Sequence, residues 1–472
     1  MSALVAELAD IDLGDVRLNR RARRVLQCLG EKPTLSIPSA CGGWGETRAA
    51  YRLFDHAAVS AEAVLAPHLA CTVARMRAHP RVLCLQDTSE LDYTGKSDIQ
   101  GLGPLNYESR RGLYRHPTRA VTPDRLALGL LHVHTWVREP GSLAQPKDAA
   151  RPIEEKESMR WIDGFARVNE LAEQLPETRL TYIADREADI YELFVAAPCP
   201  DAGADWLVRG QHDRVLGQDA EGNPETLRQR LDQAPVLTET GFDQPGGNGR
   251  TARTVHQQIQ AVRLKLPAPY RRNRKLAEIE ITAILATELQ PPPGEDAVEW
   301  LLLTNLPVTT PEQALEKLSW YLCRWQIEIF FRILKSGCRI EELQLEKRER
   351  LEPALAFYMI IAWRVLLLTM LGRACPEMPC DVVFDQAEWQ AVYLVTQRKP
   401  PPETPPSLDQ MVRMVAGLGG FLNRKRDGFP GPQTIWIGLQ RAADFVLALE
   451  AQRTADGESC GCLLYTSDAA DE

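Results

Sequence analysis

A chain of 472 residues with 44% hydrophobic residues is long enough to bury the cores of two or three domains. A formal net charge of −9 argues against a uniformly basic nucleic-acid binder, so any contact with DNA must come from local clusters of arginine and lysine. Eleven cysteines, odd in number and scattered, give no disulfide framework; Cys375 and Cys380 lack a second pair for zinc, and reduced thiols in a cytoplasm are the expectation.

In chain order, Arg17, Arg20, Arg21 and Arg24 recur at helical spacing, with Leu18, Ala22, Val25, Leu26 and Leu29 on the opposite side. One face packs and the other can meet phosphates, although a plain helical cap reads the same way. After a turn rich in proline and glycine (Pro33, Pro38, Gly42, Gly43, Gly45), a second helical stretch carries Arg48, Tyr51, Arg52, Leu53 and Phe54. Two short helices with an arginine-rich face suit a DNA end-recognition region over 1–60. Ser60 then caps a helix running to about Ala78.

Arg81 to Asp87 (RVLCLQD) is an apolar run that ends in an acid, as expected for a buried strand. Further strands are predicted near 113–121 and 126–137. His132 and His134 share one face of the latter and, with no acids patterned around them, read as structural. A helix follows over Met159 to Glu173. Leu180 to Asp185 (LTYIAD) is a second strand of the RVLCLQD type. Acids at the carboxyl ends of central strands are where ligands gather in open α/β sheets, though a lone aspartate there also serves as a turn or cap residue.

The spacing between Trp206 and Trp300 is too long for a loop and reads as a strand-rich insertion, with KLAEIEITAIL (Lys275 to Leu285) alternating in polarity. From Gln244 to Ala277 there is no acid but eight basic residues: Arg250, Arg253, Arg263, Lys265, Arg271, Arg272, Arg274 and Lys275. Such a run can form a phosphate track or a solvated face. Trp300 lies on the strand VEWLLLT, where a core role fits the pattern as well as any other.

Thr310 to Lys335 is predicted as one long helix, with Thr310 as N-cap, Pro311 at N1, Glu312 in the first turn and Gly337 as the stop. On a regular helix Tyr321, Arg324, Glu328 and Lys335 fall within an arc of about 60°. One carboxylate flanked by two cations and a phenol suits phosphate handling, against the ordinary reading of a solvated salt-bridge stripe. Beyond Glu346 the chain is helical, interrupted by prolines between Pro400 and Pro406. Arg364 breaks the apolar stretch Met359 to Leu371, itself too short to span a bilayer, so no membrane partner is expected. No secretory or targeting signal is visible near the N-terminus.

The chain resembles the cut-and-paste DDE transposases of bacterial insertion sequences, in the subgroup with a Tyr-Arg-Glu-Lys signature. QDTSELDY (Gln86 to Tyr93) is similar to that family's first-aspartate block, ADREADIY (Ala184 to Tyr191) to its second, and YLCRWQIEIFFRILK (Tyr321 to Lys335) carries the signature. DVRLNRRARR (Asp15 to Arg24), EKESMRW (Glu155 to Trp161), LVRGQHDR (Leu207 to Arg214) and EWLLLT (Glu299 to Thr304) follow the family's order.

The resemblance implies a ribonuclease H-like α/β core over 61–373, with the strand-rich insertion at about 207–300. Helical regions at 1–60, which binds DNA, and 374–461 flank it. It implies that Asp87, Asp185 and Glu328 are the catalytic, metal-holding acids for two Mg²⁺ ions, with Mn²⁺ able to substitute. Asp87 would bridge both ions. Three carboxylates without histidine or cysteine suit such hard cations.

Arg324, Lys335, Tyr321 and Arg209 then contact phosphates, as do Arg17, Arg20, Arg21 and Arg24. Trp300 matches the residue that stacks on a flipped base when a hairpin forms at the element end. The partners implied are double-stranded DNA, as element ends and as target, and a second copy in a homodimer. The place implied is the bacterial cytoplasm, at the nucleoid. Two alternatives stay open: a metal-dependent nuclease on the same core, and a non-catalytic DNA-binding regulator derived from a transposase. Cys462 to Glu472 (CLLYTSDAADE) resembles a translated library adapter and is read as a non-native tail.

Overall fold

The computed structural model describes residues 3–96, 99–144, 151–196, 203–218, 222–244, 252–271 and 274–455. The chain divides into two compact units, one of residues 69–97 and 102–328, the other of 1–68, 98–101 and 329–472. Residues 462–472, read from sequence as a foreign tail, lie outside the described residues, as do Arg250 and Arg272 of the basic run.

The first unit is built on one mixed sheet. Its strands are β1 (Arg81–Gln86), β2 (Ser89–Asp92), β3 (Gly103–Pro104), β4 (Arg111–Val121), β5 (Ala127–Trp136), β6 (Arg179–Ala184) and β7 (Asp205–Arg209), then β10 (Val236–Gln244), β11 (Arg253–Leu266), β12 (Ile279–Glu288) and β13 (Glu299–Thr304). A separate hairpin pairs β8 (Val215–Gln218) with β9 (Pro224–Thr226). The order across the sheet is β10-β11-β12-β13-β7-β6-β1-β4-β2, with β3 and β5 also on β4. At its centre β1, β6 and β7 are parallel, and antiparallel strands continue on both sides.

Those central strands read as unbroken apolar runs because both of their faces are covered. Alternation sends Val82 and Cys84 to one side, where Trp161, Phe165 and Val168 of helix Met159–Gln174 meet them. Leu83, Leu85 and Ile183 face the other side with Ala314, Leu318 and Tyr321 of helix Pro311–Leu322. Each fully buried leucine there stabilises the unit by about 1.5–3 kcal/mol relative to exposure.

The second unit is helical. Arg348–Ala374 is its central element, and 94% of its most apolar window is buried in protein. The sequence suggested an apolar stretch too short to span a bilayer; the helix is longer than that stretch, and burial rather than length accounts for its composition. Arg364, inside this helix, is neutralised by Glu388 at 2.9 Å. Helix Val16–Glu31 begins at Asp15, whose carboxylate accepts the Arg17 N–H at 2.7 Å. Its Gly30 packs so closely that a Cβ there would lie 2.1 Å from Leu4 Cδ2.

Candidate active site

Asp87 and Asp185 each follow the last residue of a parallel strand, β1 and β6, and the pairing of Leu85 with Ile183 sets the two acids at the same edge of the sheet. Gln86 anchors the first of these ends. Its side-chain amide donates to Thr118 Oγ1 at 2.9 Å and its carbonyl accepts from Tyr182 Oη. Gly164 makes room for this amide, since a Cβ would fall 1.8 Å from Gln86 Nε2. The Asp87 carboxylate takes the Thr88 N–H at 2.8 Å, and the Asp185 carboxylate takes the Glu187 N–H at 2.9 Å, capping the turn Arg186–Ala188.

Thr310 and Pro311 open the next helix as expected, but the single long helix does not form. Pro311–Leu322 ends at a turn, Trp325–Arg332 starts a second helix, and Ile333–Gly337 is a π turn. At the break the backbone bonds tighten to three-residue spacing, Arg324 N to Tyr321 O and Ile327 N to Arg324 O. Buried groups far away in sequence fix this geometry. Arg119 Nη1 donates to Gln326 O at 3.1 Å, and Gln326 Nε2 donates to Arg125 O at 3.1 Å.

The break aims Arg324 at two of the three acids. Nη1 donates to Asp87 Oδ2 at 2.6 Å and Nη2 to Glu328 Oε1 at 2.7 Å. Burial, then the charge of Asp185, pushes the Asp87 carboxyl up to about 7, against the opposing pull of Arg324. Burial alone would lower the pKa of Arg324, but Tyr321, Asp87 and Glu328 outweigh it and keep the guanidinium protonated. Its charge also lies 5.9 Å from the Tyr321 ring centroid. Tyr321 is buried, and its hydroxyl has no hydrogen-bond partner among the described residues. Among the described residues no three acids, histidines or cysteines are close enough to grip one metal ion as they stand.

The other expected site residues are spread more widely. Lys335 belongs to the helical unit, where its Nζ lies 3.4 Å from Glu341. Arg209, at the end of β7, donates to the Glu299 carbonyl at 3.1 Å. Trp300 is 8% exposed on β13 and stacks on Phe242 with centroids 5.2 Å apart. On the N-terminal helix Arg17, Arg20 and Arg24 are exposed, with Arg17 3.6 Å from Asp15 and Arg24 3.9 Å from Glu46, whereas Arg21 is half-buried and pairs with Glu46 at 2.6 Å.

The basic run is acid-free in sequence only. Glu288 meets Arg253, and Glu280 meets Arg263 at 2.7 Å. Glu192 meets Arg271 at 2.6 Å, and Glu154 lies 3.6 Å from Arg274. Four of its six described basic residues therefore have a carboxylate neighbour, which corrects the picture of an open phosphate track. His134 stacks on Trp136 at 5.4 Å, in keeping with a structural role.

Sequence reasoning did not single out Arg160. Its guanidinium reaches both acid-bearing loops, and the only trace in the sequence is the segment EKESMRW.

Three family models match the chain: the Transposase DNA-binding model over residues 1–59, the Transposase DDE domain over 164–364, and the Transposase Tn5 dimerisation domain over 360–459. Among solved structures, a cryo-EM structure of a piggyBac transposase synaptic complex with hairpin DNA aligns with 97% of this chain and 78% of its own. The identity is 9% and the TM-score 0.36, a likeness on which nothing further rests.

Proposed function

Because the chain belongs to the DDE transposases, we propose that it is a cut-and-paste enzyme of the Tyr-Arg-Glu-Lys subgroup that cleaves element ends and joins their 3′-hydroxyls to target DNA. The observation that carries this reading is the grouping of the three acids: two at adjacent strand ends, and the third tied to one of them through a shared arginine. Asp87 and Asp185 follow adjacent parallel strands, and Glu328 and Asp87 share Arg324. The same placement, on a mixed sheet with helices on both faces, supports a ribonuclease H-like core.

Asp87, Asp185 and Glu328 would hold Mg²⁺ or Mn²⁺, which supplies Lewis acidity at the scissile phosphodiester. The donors fit such an ion in type and charge: all are carboxylates, and two of them already share a cation, the Arg324 guanidinium. Arg324 and Tyr321 would then grip nonbridging phosphate oxygens, orienting the strand without reading its sequence. Lys335 and Arg209 add further phosphate contacts in this reading. Residues 1–60 would bind the terminal repeat and the region after 373 would pair two copies, in keeping with the DNA-binding and dimerisation models matched there.

The test is a Mg²⁺-dependent reaction on labelled DNA that carries the inverted repeats flanking this reading frame. Wild type should give nicked ends, then hairpins, then products joined to target. Asp87→Ala, Asp185→Ala and Glu328→Ala should each abolish cleavage and leave end binding largely intact, since the basic faces that hold DNA remain. Cleavage near the wild-type rate in any one of the three removes that acid from the site. Cutting without joined products would identify a nuclease instead.

A further inference from the structure

We propose that Arg160 is the positioning residue that fixes the distance between the two strand-end acids, an inference that rests on reading Asp87 and Asp185 as metal ligands. Arg160 stands in the first turn of helix Met159–Gln174, and its side chain is 10% exposed. One edge of its guanidinium faces the loop after β1, where Nε donates to Thr88 Oγ1 at 3.3 Å. The other faces the loop after β6, where Nη2 donates to the Glu187 carboxylate. Nη1 is held by the Glu157 carbonyl at 2.7 Å. The guanidinium also lies near two indoles, Trp136 and Trp161, at 5.0 and 5.5 Å from their ring centroids.

Each of its two loop partners adjoins an acid. Thr88 follows Asp87 and gives it a backbone N–H, while its hydroxyl is shared with His116 Nδ1 at 2.8 Å. Glu187 gives its backbone N–H to Asp185. A rigid planar fork can hold two loops at a set separation, whereas a lysine ammonium on a flexible stem can neutralise Glu187 without reaching Thr88 in the same geometry. Parallel pairing of β1 and β6 sets the strands, but both aspartates lie beyond the last paired residues, Leu85 and Ile183. Arg160 therefore supplies a cross-link where the ladder has ended. Groups that orient metal ligands in this way are worth about 10–100-fold in metal affinity.

The experiment titrates the DNA-free full chain with Tb³⁺, a hard cation suited to carboxylates, and follows luminescence excited through tryptophan. Wild type should bind, and Asp87→Ala should remove the Asp87-dependent phase. Arg160→Lys should weaken that phase by about 10–100-fold. Glu187→Gln should weaken it as well, and the double variant should be little worse than Arg160→Lys alone, because both changes break one link.

An Arg160→Lys protein with wild-type Tb³⁺ affinity, or additive losses in the double variant, overturns the positioning role and leaves the metal acids in place. No Asp87-dependent binding in wild type overturns the metal reading and this inference with it. Should Arg160→Lys fail to fold, Thr88→Val removes the hydroxyl link at nearly constant volume: weakened binding supports the role and unchanged affinity overturns it.

Discussion

The guanidinium of Arg324 lies 2.6 Å from the Asp87 carboxylate, and its other edge lies 2.7 Å from Glu328. One organic cation thus stands between two of the three carboxylates that a divalent ion would need. Phosphate oxygens and these carboxylates compete for the same five donors, so DNA that draws Arg324 toward its backbone would free the acids.

Arg324→Gln should therefore tighten metal binding in the absence of DNA, by about tenfold if the lost charged hydrogen bonds were worth near 1.4 kcal/mol. The same variant should cleave element ends poorly, because the phosphate contact is lost. Metal titration of free protein measures the first effect. An affinity equal to or weaker than wild type would show that Arg324 does not compete for the seat.

Asp87 makes metal binding pH-dependent. With its carboxyl pushed up to about 7, it carries a proton over most of the acid range, and a metal ion must displace that proton. Affinity should fall by about tenfold per pH unit below 7 and level off above it. Stability runs the opposite way in the metal-free protein. A carboxyl whose pKa is raised on folding stabilises the fold fully below its unfolded value of about 4, and that contribution is lost as pH rises through about 7. Asp87→Asn, which cannot ionise, should melt furthest above wild type at pH 8, by less at pH 5, and level with it only below about pH 4. Identical melting curves at both pH values would contradict the raised pKa.

The N-terminal helix offers a narrower DNA face than its arginine spacing suggests. Glu46 engages Arg21, which is half-buried, and this leaves Arg17, Arg20 and Arg24 exposed, with Arg17 3.6 Å from Asp15 and Arg24 3.9 Å from Glu46. Replacing Arg17 and Arg20 by alanine should shrink the slope of log affinity against log salt by up to about 0.9 per lost phosphate contact. Arg21→Ala should change it less. A slope untouched by the double replacement would assign the helix to packing.

Local sequence carried the strands well and the long-range side-chain partners poorly. VLCL and LTYIA are buried throughout and mostly apolar because both faces of the central strands are covered, so their extent and the acids that follow them were legible without a fold. The break at Cys323 was not, because the groups that hold it, Arg119 and Arg125, lie some two hundred residues away. Glu280 and Glu288 were equally hidden: they reach Arg263 and Arg253 only after β11 and β12 pair. Arg160 showed only as part of EKESMRW, and its role stayed hidden for the same reason, since its partners Thr88 and Glu187 are 72 and 27 residues distant.

Hairpin formation is the step that separates the proposed enzyme from a plain nuclease, and Trp300 is the residue to test it on. Its strand β13 pairs with β12, placing Trp300 opposite Ala286, and its indole stacks on Phe242 at an interplanar angle of 23°. At 8% exposure the indole would have to exchange Phe242 for a flipped base, or offer its other face, to support the hairpin turn. A stacked base is worth about 1–3 kcal/mol, so Trp300→Ala should slow conversion of nicked ends to hairpins by about one to two decades and spare the first nick. Truncating a buried tryptophan also costs about 3–5 kcal/mol of stability, so the variant must first be shown to fold, with Phe242→Leu as a control that disturbs the same stack. A time course on labelled end DNA resolves nicked, hairpin and released products. Selective loss of the hairpin step in Trp300→Ala, but not in Phe242→Leu, gives Trp300 the base-stacking role. Equal slowing of nicking and hairpin formation in both variants assigns the pair to the core of the sheet.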